Sequence, residues 1–253
     1  GMDPKEMRFE LELGLEYHSE MGEYVPDYIH ASPALDVDLP DAPFVIYERP
    51  YRVRGGANEV VAQSVEPYFN RTWDHFCSHQ HAPYRCTPSC EIDPVVVGPF
   101  GAYCAHPVFR AYYRSGQPLI KYLVRGVLRR IYPDPLLKTD MPSAGRVFLN
   151  HQESENERRT LVHLLYGPAQ LRGRGLKHPK GHAMSLEIIE DTVALAEVTC
   201  SVRAQSGPSR VFDAVTGRDI EYTFADGRIE FVVRNVNVHT LVVIEEKRKE
   251  SSL

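Results

Sequence analysis

The second half of the chain alternates apolar and polar residues in short runs, and this period of two predicts β-strands. Thr216-Gly217 and Asp226-Gly227 provide turn signals between neighbouring runs. Short strands at this spacing predict an antiparallel β-sandwich. The predicted strands are 146–152, 158–165, 186–189, 197–204, 210–214, 220–224, 228–233 and 239–246.

The first half combines strand and helix patterns. Phe44 to Arg49 has the composition of a buried strand, and 93–106 predicts a hairpin around Gly98 to Gly101. A helix is predicted from Pro107 to Arg114 and ends before Gly116. From Pro118 to Ile131, apolar residues recur at every third or fourth position, which predicts an amphipathic helix.

Two segments at the start of the chain have weaker patterns. Arg8 to Tyr17 alternates Glu with Leu or Phe, so strand and helix both stay open. Met21 to Pro43 contains four prolines and few periodic apolar residues, which predicts an irregular segment.

A proline-rich linker from Pro133 to Ser143 separates the two halves. We therefore expect an α/β domain over residues 1–141, a β-sandwich domain over 142–246 and a polar tail over 247–253.

One stretch, Glu66 to Pro83, follows neither period. It reads EPYFNRTWDHFCSHQHAP and contains the only tryptophan, Trp73, with His75, His79 and His81 close behind it. Such density of polar and titratable side chains favours either a binding site or a buried polar network that is satisfied for structural reasons. We expect Trp73 to be partly exposed, because so many His and Arg side chains are difficult to satisfy in a dry core.

A family resemblance is carried by this stretch together with YCAHPVFRAYYRSG, VHLLYGP and LEIIED. These segments resemble the C-terminal part of bacterial α-L-fucosidases and β-galactosidases. In those enzymes a catalytic barrel is followed by a flavodoxin-like "β-galactosidase trimerisation" domain and a β-sandwich. The resemblance runs from about Arg8 to about Glu246. It implies an α+β, β-rich chain in which a partial flavodoxin-like α/β domain precedes an antiparallel β-sandwich. The catalytic barrel has no counterpart in this sequence.

Composition narrows the functional classes. The net charge of −5 gives no electrostatic basis for binding nucleic acid or an anionic membrane. The sequence has no run of about 18 apolar residues, so no membrane span is predicted. The first residues lack the apolar core of a signal peptide. Five cysteines, an odd number, argue against a complete disulfide framework and favour a reduced, cytoplasmic protein.

The sequence offers little basis for glycosidase chemistry. Such enzymes need two carboxyl groups roughly 5–9 Å apart. Glu190 and Asp191 are the only pair within a motif, and adjacent residues on a strand point to opposite faces. We therefore assign no catalytic residue and expect no activity from the chain alone. If the chain is active, the resemblance implies a glycoside hydrolase.

A metal site is an alternative in the same region. Cys86 and Cys90 have an acceptable ligand spacing, and zinc could take four ligands from the cluster. This would make the chain an independent metal-dependent hydrolase; otherwise no cofactor is expected. The candidate ligands are His75, Cys77, His79, His81, Cys86 and Cys90.

The resemblance and the composition together predict an assembly role. The chain would associate with itself as a homo-oligomer or with a barrel-bearing hydrolase chain, and would present aromatic, His and Arg side chains to a carbohydrate. A purely structural module without a ligand is the other reading. The basic, glycine-rich segment from Arg172 to Gly181 is expected to be a solvated loop. The candidate sugar-facing residues are Arg71, Trp73, His75, His79, His81 and His106.

Overall fold

The computed structural model describes residues 2–3, 8–9, 13–78, 81–89, 91–154, 157–177 and 183–247. It divides into two compact units, residues 1–134 and 135–253. The chain is rich in β-structure and contains two α-helices among these residues. None of its helices is long and apolar enough to cross a membrane, within the part of the chain described.

In its described residues the first unit contains nine strands followed by two helices. Its largest sheet has the strand order β5-β4-β7-β8-β9, and a two-stranded sheet pairs β3 with β6. The elements are β1 Met2–Asp3, β2 Arg8–Phe9, β3 Glu16–Met21, β4 Asp27–Ala31, β5 Phe44–Ile46, β6 Tyr51–Arg54, β7 Glu59–Val65, β8 Val95–Gly98, β9 Gly101–Cys104, α1 Val108–Ser115 and α2 Pro118–Ile131.

All strand pairs described in this unit are antiparallel. A flavodoxin-like domain has a parallel sheet whose strands alternate with helices. The structure therefore does not show that architecture, and the reason lies in the connections: β8 and β9, for example, form a tight hairpin, and short connections force neighbouring strands to run antiparallel. The coarser prediction of a β-rich chain is confirmed.

Both predicted helices are present, with the expected ends. Gly116 ends α1 in the left-handed conformation, with φ of 63°, and its N–H donates to the Tyr112 carbonyl at 2.8 Å. Pro118 occupies the first turn of α2, where its missing N–H costs nothing. The hairpin predicted over 93–106 is also present as β8 and β9.

The core of the first unit lies between the five-stranded sheet and the apolar face of α2. Ile29 and Ile46 from the sheet pack in one cluster with Ile120 and Leu123 from the helix. Gly126 allows this close approach, because a Cβ at that position would lie 2.7 Å from the Leu35 carbonyl oxygen. The segment 21–43 is less irregular than predicted, because it contains β4, an interior strand of the sheet whose residues are almost all buried.

The described part of the second unit contains two four-stranded antiparallel sheets, ordered β10-β15-β18-β17 and β11-β12-β19-β16. A separate hairpin pairs β13 with β14. The strands are β10 Leu137–Thr139, β11 Arg146–Glu153, β12 Glu157–Tyr166, β13 Gln170–Lys177, β14 Ala183–Ile188, β15 Leu195–Arg203, β16 Arg210–Asp213, β17 Tyr222–Ala225, β18 Arg228–Val236 and β19 Val238–Lys247.

Alternate residues of both sheets share one core, which is the sandwich arrangement. Val162 and Leu164 of one sheet are buried in the same cluster as Cys200 and Phe231 of the other. The alternation in the sequence follows from this geometry, since successive strand residues point to opposite faces.

Two details of this half differ from prediction. The segment 172–181 was expected to be a loop, but β13 extends to Lys177 and pairs with β14; residues 178–182 lie outside the described part. The predicted linker contains β10, which pairs with β15 through Thr139 and Cys200. The first compact unit accordingly ends at Asp134, earlier than the predicted boundary at residue 141. Of the predicted tail 247–253, residues 248–253 also lie outside the described part.

The helices of the first unit are tied down by buried carboxylates. Arg125 of α2 donates from Nε to Asp36 Oδ2 at 2.6 Å, and Arg110 of α1 donates to Glu48 Oε2 at 2.7 Å. These hydrogen bonds, together with the positive charges, hold the pKa of Asp36 and of Glu48 below the ordinary values of 3.8 and 4.5, although burial opposes the shift.

We predict that Asp36→Asn lowers the free energy of unfolding by about 1.5–3 kcal/mol, because it removes charged hydrogen bonds from a buried site. Asp38 also contacts Arg125 but is half exposed, so Asp38→Asn is the matched control and should cost below about 1 kcal/mol. Urea unfolding followed by circular dichroism measures both. Because the folded pKa of Asp36 is lowered, its contribution is present above pH 3.8 and is lost as the pH falls through the folded value. Equal losses in the two variants at neutral pH would contradict the prediction.

Candidate functional site

The candidate site is the excursion of the chain between β7 and β8, which we call the Trp73 loop and define as residues 66–85. Its two arms are joined by a backbone bridge between Pro67 and Tyr84. The Tyr68 N–H donates to the Pro83 carbonyl at 3.0 Å, and the Arg85 N–H donates to the Glu66 carbonyl at 2.8 Å. The loop is therefore closed at its base.

Side chains anchor the loop to the rest of the first unit. The Tyr28 hydroxyl on β4 donates to the Ala82 carbonyl at 2.8 Å, and the Tyr28 ring packs edge-on against Tyr84. On the other arm, the Asn70 carboxamide accepts from the Val25 N–H at 3.0 Å and donates to the Glu23 carbonyl at 3.1 Å. Burial raises the pKa of the Tyr28 hydroxyl.

A tight turn forms the tip of the loop. The His75 imidazole stacks on the Phe69 ring, with centroids 3.8 Å apart, and Thr72 and His75 exchange backbone hydrogen bonds of 2.9 and 3.3 Å. Trp73 lies within this turn and is 94% exposed. The expected exposure of Trp73 is confirmed; a role in binding sugar is a separate proposal.

Exposed aromatic rings are concentrated in this loop. Tyr68, Phe76 and Tyr84 are exposed together with Trp73. Exposed rings of this size are uncommon on monomer surfaces but typical of binding surfaces, where a rigid ring supplies much contact area at low entropic cost.

The histidines predicted for the site lie in different surroundings. His81 accepts or donates a 2.6 Å hydrogen bond with the Tyr47 hydroxyl, and His75 stacks on Phe69. Arg71 is exposed and interacts with a neighbour. His79 lies outside the described residues.

His106 is not on the surface. It is 1% exposed, and its Nε2 lies 2.8 Å from Asp27 Oδ2, also buried. His106 Nδ1 and Asp27 Oδ1 are buried without a hydrogen-bond partner among the described residues, so this buried pair is only partly satisfied. A sugar in solution does not reach such a side chain, so the proposed binding surface excludes His106.

The alternative metal cluster gains no support from the described ligands. Cys77 Sγ lies 3.4 Å from the His81 carbonyl oxygen, an orientation that points the thiol to the backbone. Among the residues described, no three His, Cys, Asp or Glu side chains are grouped as metal ligands. His79 and Cys90 lie outside that part of the chain.

Sequence reasoning missed the residues that shape the loop. Tyr28 and Tyr47 are far from it in sequence and stand in segments without any motif. No local signal identifies them, because their roles depend on strands that tertiary folding brings beside the loop.

The comparisons with known proteins include a strong likeness to a solved structure. The α-L-fucosidase isoenzyme 2 from Paenibacillus thiaminolyticus superposes with a TM-score of 0.82 and 30% sequence identity, over 94% of this chain and 34% of the fucosidase chain. A catalytic mutant of a GH42 β-galactosidase from G. stearothermophilus gives a TM-score of 0.40 at 10% identity, over 93% of this chain and 24% of that one. That second likeness is too weak to support an inference. No protein-family model and no curated protein matches the chain.

The chain therefore has a glycoside hydrolase-related fold and spans about a third of the length of the fucosidase that it resembles. This supports the coarser part of the predicted resemblance.

We predict that Trp73 emits as a water-exposed indole and that Trp73→Ala changes the free energy of unfolding by less than about 0.5 kcal/mol, since exposed side chains contribute little. Tyr28→Phe is the contrasting variant: it removes the bond to the Ala82 carbonyl and should cost about 1 kcal/mol. Collisional quenching and urea unfolding measure the two effects. A loss of about 3–5 kcal/mol for Trp73→Ala, as for a core aromatic residue, would refute the exposed position.

Proposed function

We propose that this chain is a non-catalytic accessory part of an α-L-fucosidase- or β-galactosidase-like glycoside hydrolase, equivalent to the region that follows the catalytic barrel. In this proposal the chain associates with itself or with a barrel-bearing chain, and the Trp73 loop faces a carbohydrate. The observation that carries the proposal is the likeness to the fucosidase, which extends over nearly all of this chain but only about a third of that enzyme.

The carboxyl groups support a non-catalytic role. A glycosidase acid needs a raised pKa and access to the substrate. Asp36 and Glu48 are buried and accept hydrogen bonds from arginines. These hydrogen bonds lower the pKa of both carboxyl groups, which is the opposite of what a glycosidase acid needs. Asp27 is buried against His106. Glu190 is exposed and bonded by Arg172, with Nε 2.8 Å from Oε2.

The Trp73 loop supports a sugar-facing role. An indole face packs well against the C–H groups of a pyranose, and polar side chains beside it can bond hydroxyl groups. Trp73 is exposed on a turn that is held by stacking and backbone hydrogen bonds, so little conformational entropy is lost on binding. Arg71 and Asp74 lie beside it and are exposed.

Helix α1 supports the association. Phe109 and Tyr113 are separated by one helical turn, so they lie on the same face, and Tyr113 is 90% exposed. An exposed aromatic pair of this kind favours a protein interface over a solvated face.

We expect the isolated chain to leave nitrophenyl α-L-fucoside and nitrophenyl β-galactoside intact, because the sequence has no counterpart of the catalytic barrel and the carboxyl groups considered above are paired with arginine or histidine. The assay compares the chain with Glu190→Gln and with buffer. Turnover that persists through repurification and disappears in Glu190→Gln would overturn the non-catalytic part of the proposal.

We expect L-fucose or D-galactose to bind weakly at the Trp73 loop. Saturation-transfer NMR should show sugar signals with the unchanged chain and none with Trp73→Ala. Phe100→Ala is the matched control, because Phe100 is also highly exposed but lies in the hairpin between β8 and β9. Equal transfer in the Trp73→Ala and Phe100→Ala variants would contradict a sugar-facing role.

We also expect the chain to be oligomeric at micromolar concentration. The variant Phe109→Ala/Tyr113→Ala should lower the mass measured by light scattering, whereas Phe100→Ala should leave it unchanged. A monomer in the unchanged chain would count against self-association and would direct the test to a barrel-bearing partner.

A further inference from the structure

The second unit places two histidines side by side on the outer face of one sheet. His163 lies in β12 and His239 in the neighbouring antiparallel strand β19. His239 stands opposite Leu165, two positions from His163, so the two histidines are diagonal neighbours. Val162 and Leu164 face the core, which turns His163 outward, and the buried Thr240 likewise turns His239 outward.

The two imidazoles are nearly parallel and close together. His163 Nδ1 lies 3.1 Å from His239 Nε2, the ring planes differ by 2° and the centroids are 5.3 Å apart. A transition-metal ion binds imidazole nitrogen at about 2.0–2.1 Å, so two nitrogens on one ion are about 2.9–3.4 Å apart for bond angles between square and tetrahedral. The observed separation lies within that range.

We propose that His163 and His239 form a binding site for a divalent transition-metal ion of the zinc type. Neutral imidazole is a preferred ligand of Zn²⁺ and of its neighbours in the first transition row. No cluster of three or more His, Cys, Asp or Glu ligands is found in the described part of the chain, so the proposed site uses the two histidines and leaves the other coordination positions to solvent. The site is open to solvent and its ion is exchangeable.

Protons balance without any co-reactant. In the metal-free chain one of the two facing nitrogens carries the hydrogen that joins them. When the ion binds, this hydrogen moves through solvent to the outer nitrogen of the same ring, and both facing nitrogens offer lone pairs to the metal. No net proton is released by two neutral imidazoles.

Asn150 is placed to stabilise the metal-bound tautomer. Its carboxamide nitrogen lies 3.4 Å from His163 Nε2. Rotation of the amide by half a turn presents the carboxamide oxygen, which then accepts from Nε2–H once Nδ1 binds the ion. Such an outer partner orients a metal-bound imidazole and raises its basicity.

The test uses the chain with any affinity tag removed and with metal stripped by a chelator. Zn²⁺ is titrated by calorimetry, and imidazole ¹⁵N shifts are followed by NMR. We expect one Zn²⁺ to move the signals of His163 and His239 together. His163→Gln and His239→Gln should each weaken the affinity by at least about tenfold, since losing a ligand costs no less than losing an outer partner.

Three further variants sharpen the result. His151→Gln is the matched control, because His151 lies on β11 of the same sheet but its Nδ1 is 3.1 Å from Thr160 Oγ1. The affinity of this variant for Zn²⁺ should equal that of the unchanged chain. Asn150→Asp should strengthen binding by about tenfold, because a carboxylate accepts more strongly from Nε2–H. Cys77→Ser/Cys86→Ser should retain the site.

Several outcomes would overturn the proposal. These are a dissociation constant weaker than about 1 mM, affinity that survives in His163→Gln/His239→Gln, and affinity that is lost in Cys77→Ser/Cys86→Ser. The ¹⁵N shifts of the unchanged chain decide the question even if a variant fails to fold, because a metal bound elsewhere leaves His163 and His239 unmoved.

Discussion

The surface that distinguishes this protein depends on the closure of the Trp73 loop against the five-stranded sheet. Without the bridge between Pro67 and Tyr84 and the bond from Tyr28 to the Ala82 carbonyl, the loop would be a long irregular excursion. With them, its ends are fixed by a rigid sheet and its tip is fixed by the Phe69–His75 stack. An exposed tryptophan on a fixed turn is suited to recognition, because the backbone that carries it is ordered before a ligand arrives.

Electrostatic pairing between carboxylates and arginines stabilises the rest of the first unit. Asp36 and Glu48 are carboxylates at buried positions, and burial alone would raise their pKa values. The arginines of α2 and α1 reverse this, so both groups remain ionised and hold the helices to neighbouring loops. Groups used in this way stabilise the fold and do not transfer protons. In the accessory role proposed above, the chemistry of a hydrolase comes from another chain or segment.

The two histidines of the second unit illustrate how strand pairing brings together residues that are distant in sequence. His163 and His239 are separated by most of the second unit in sequence, and each is an ordinary outward-facing residue of an alternating strand. Antiparallel pairing in this register brings their nitrogens to 3.1 Å. A register shifted by one residue would turn one of them into the core.

The sequence by itself determined the features that depend on local periodicity and on backbone chemistry. Alternation predicted most of the sandwich strands, and recurrence at three and four positions with Pro118 and Gly116 predicted both helices. Motifs predicted the likeness to a fucosidase.

Tertiary structure decided the rest. The antiparallel order of the first sheet depends on which strands pair. The sequence did not predict β4, because it lies in a proline-rich segment and its partners β5 and β7 lie elsewhere in the sequence. The surroundings of each histidine also depend on distant residues. His106 is buried and hydrogen-bonded to Asp27, whereas His81 is hydrogen-bonded to Tyr47 at the surface. Composition records that such groups are present, but only the packing of distant segments sets which of them meet solvent.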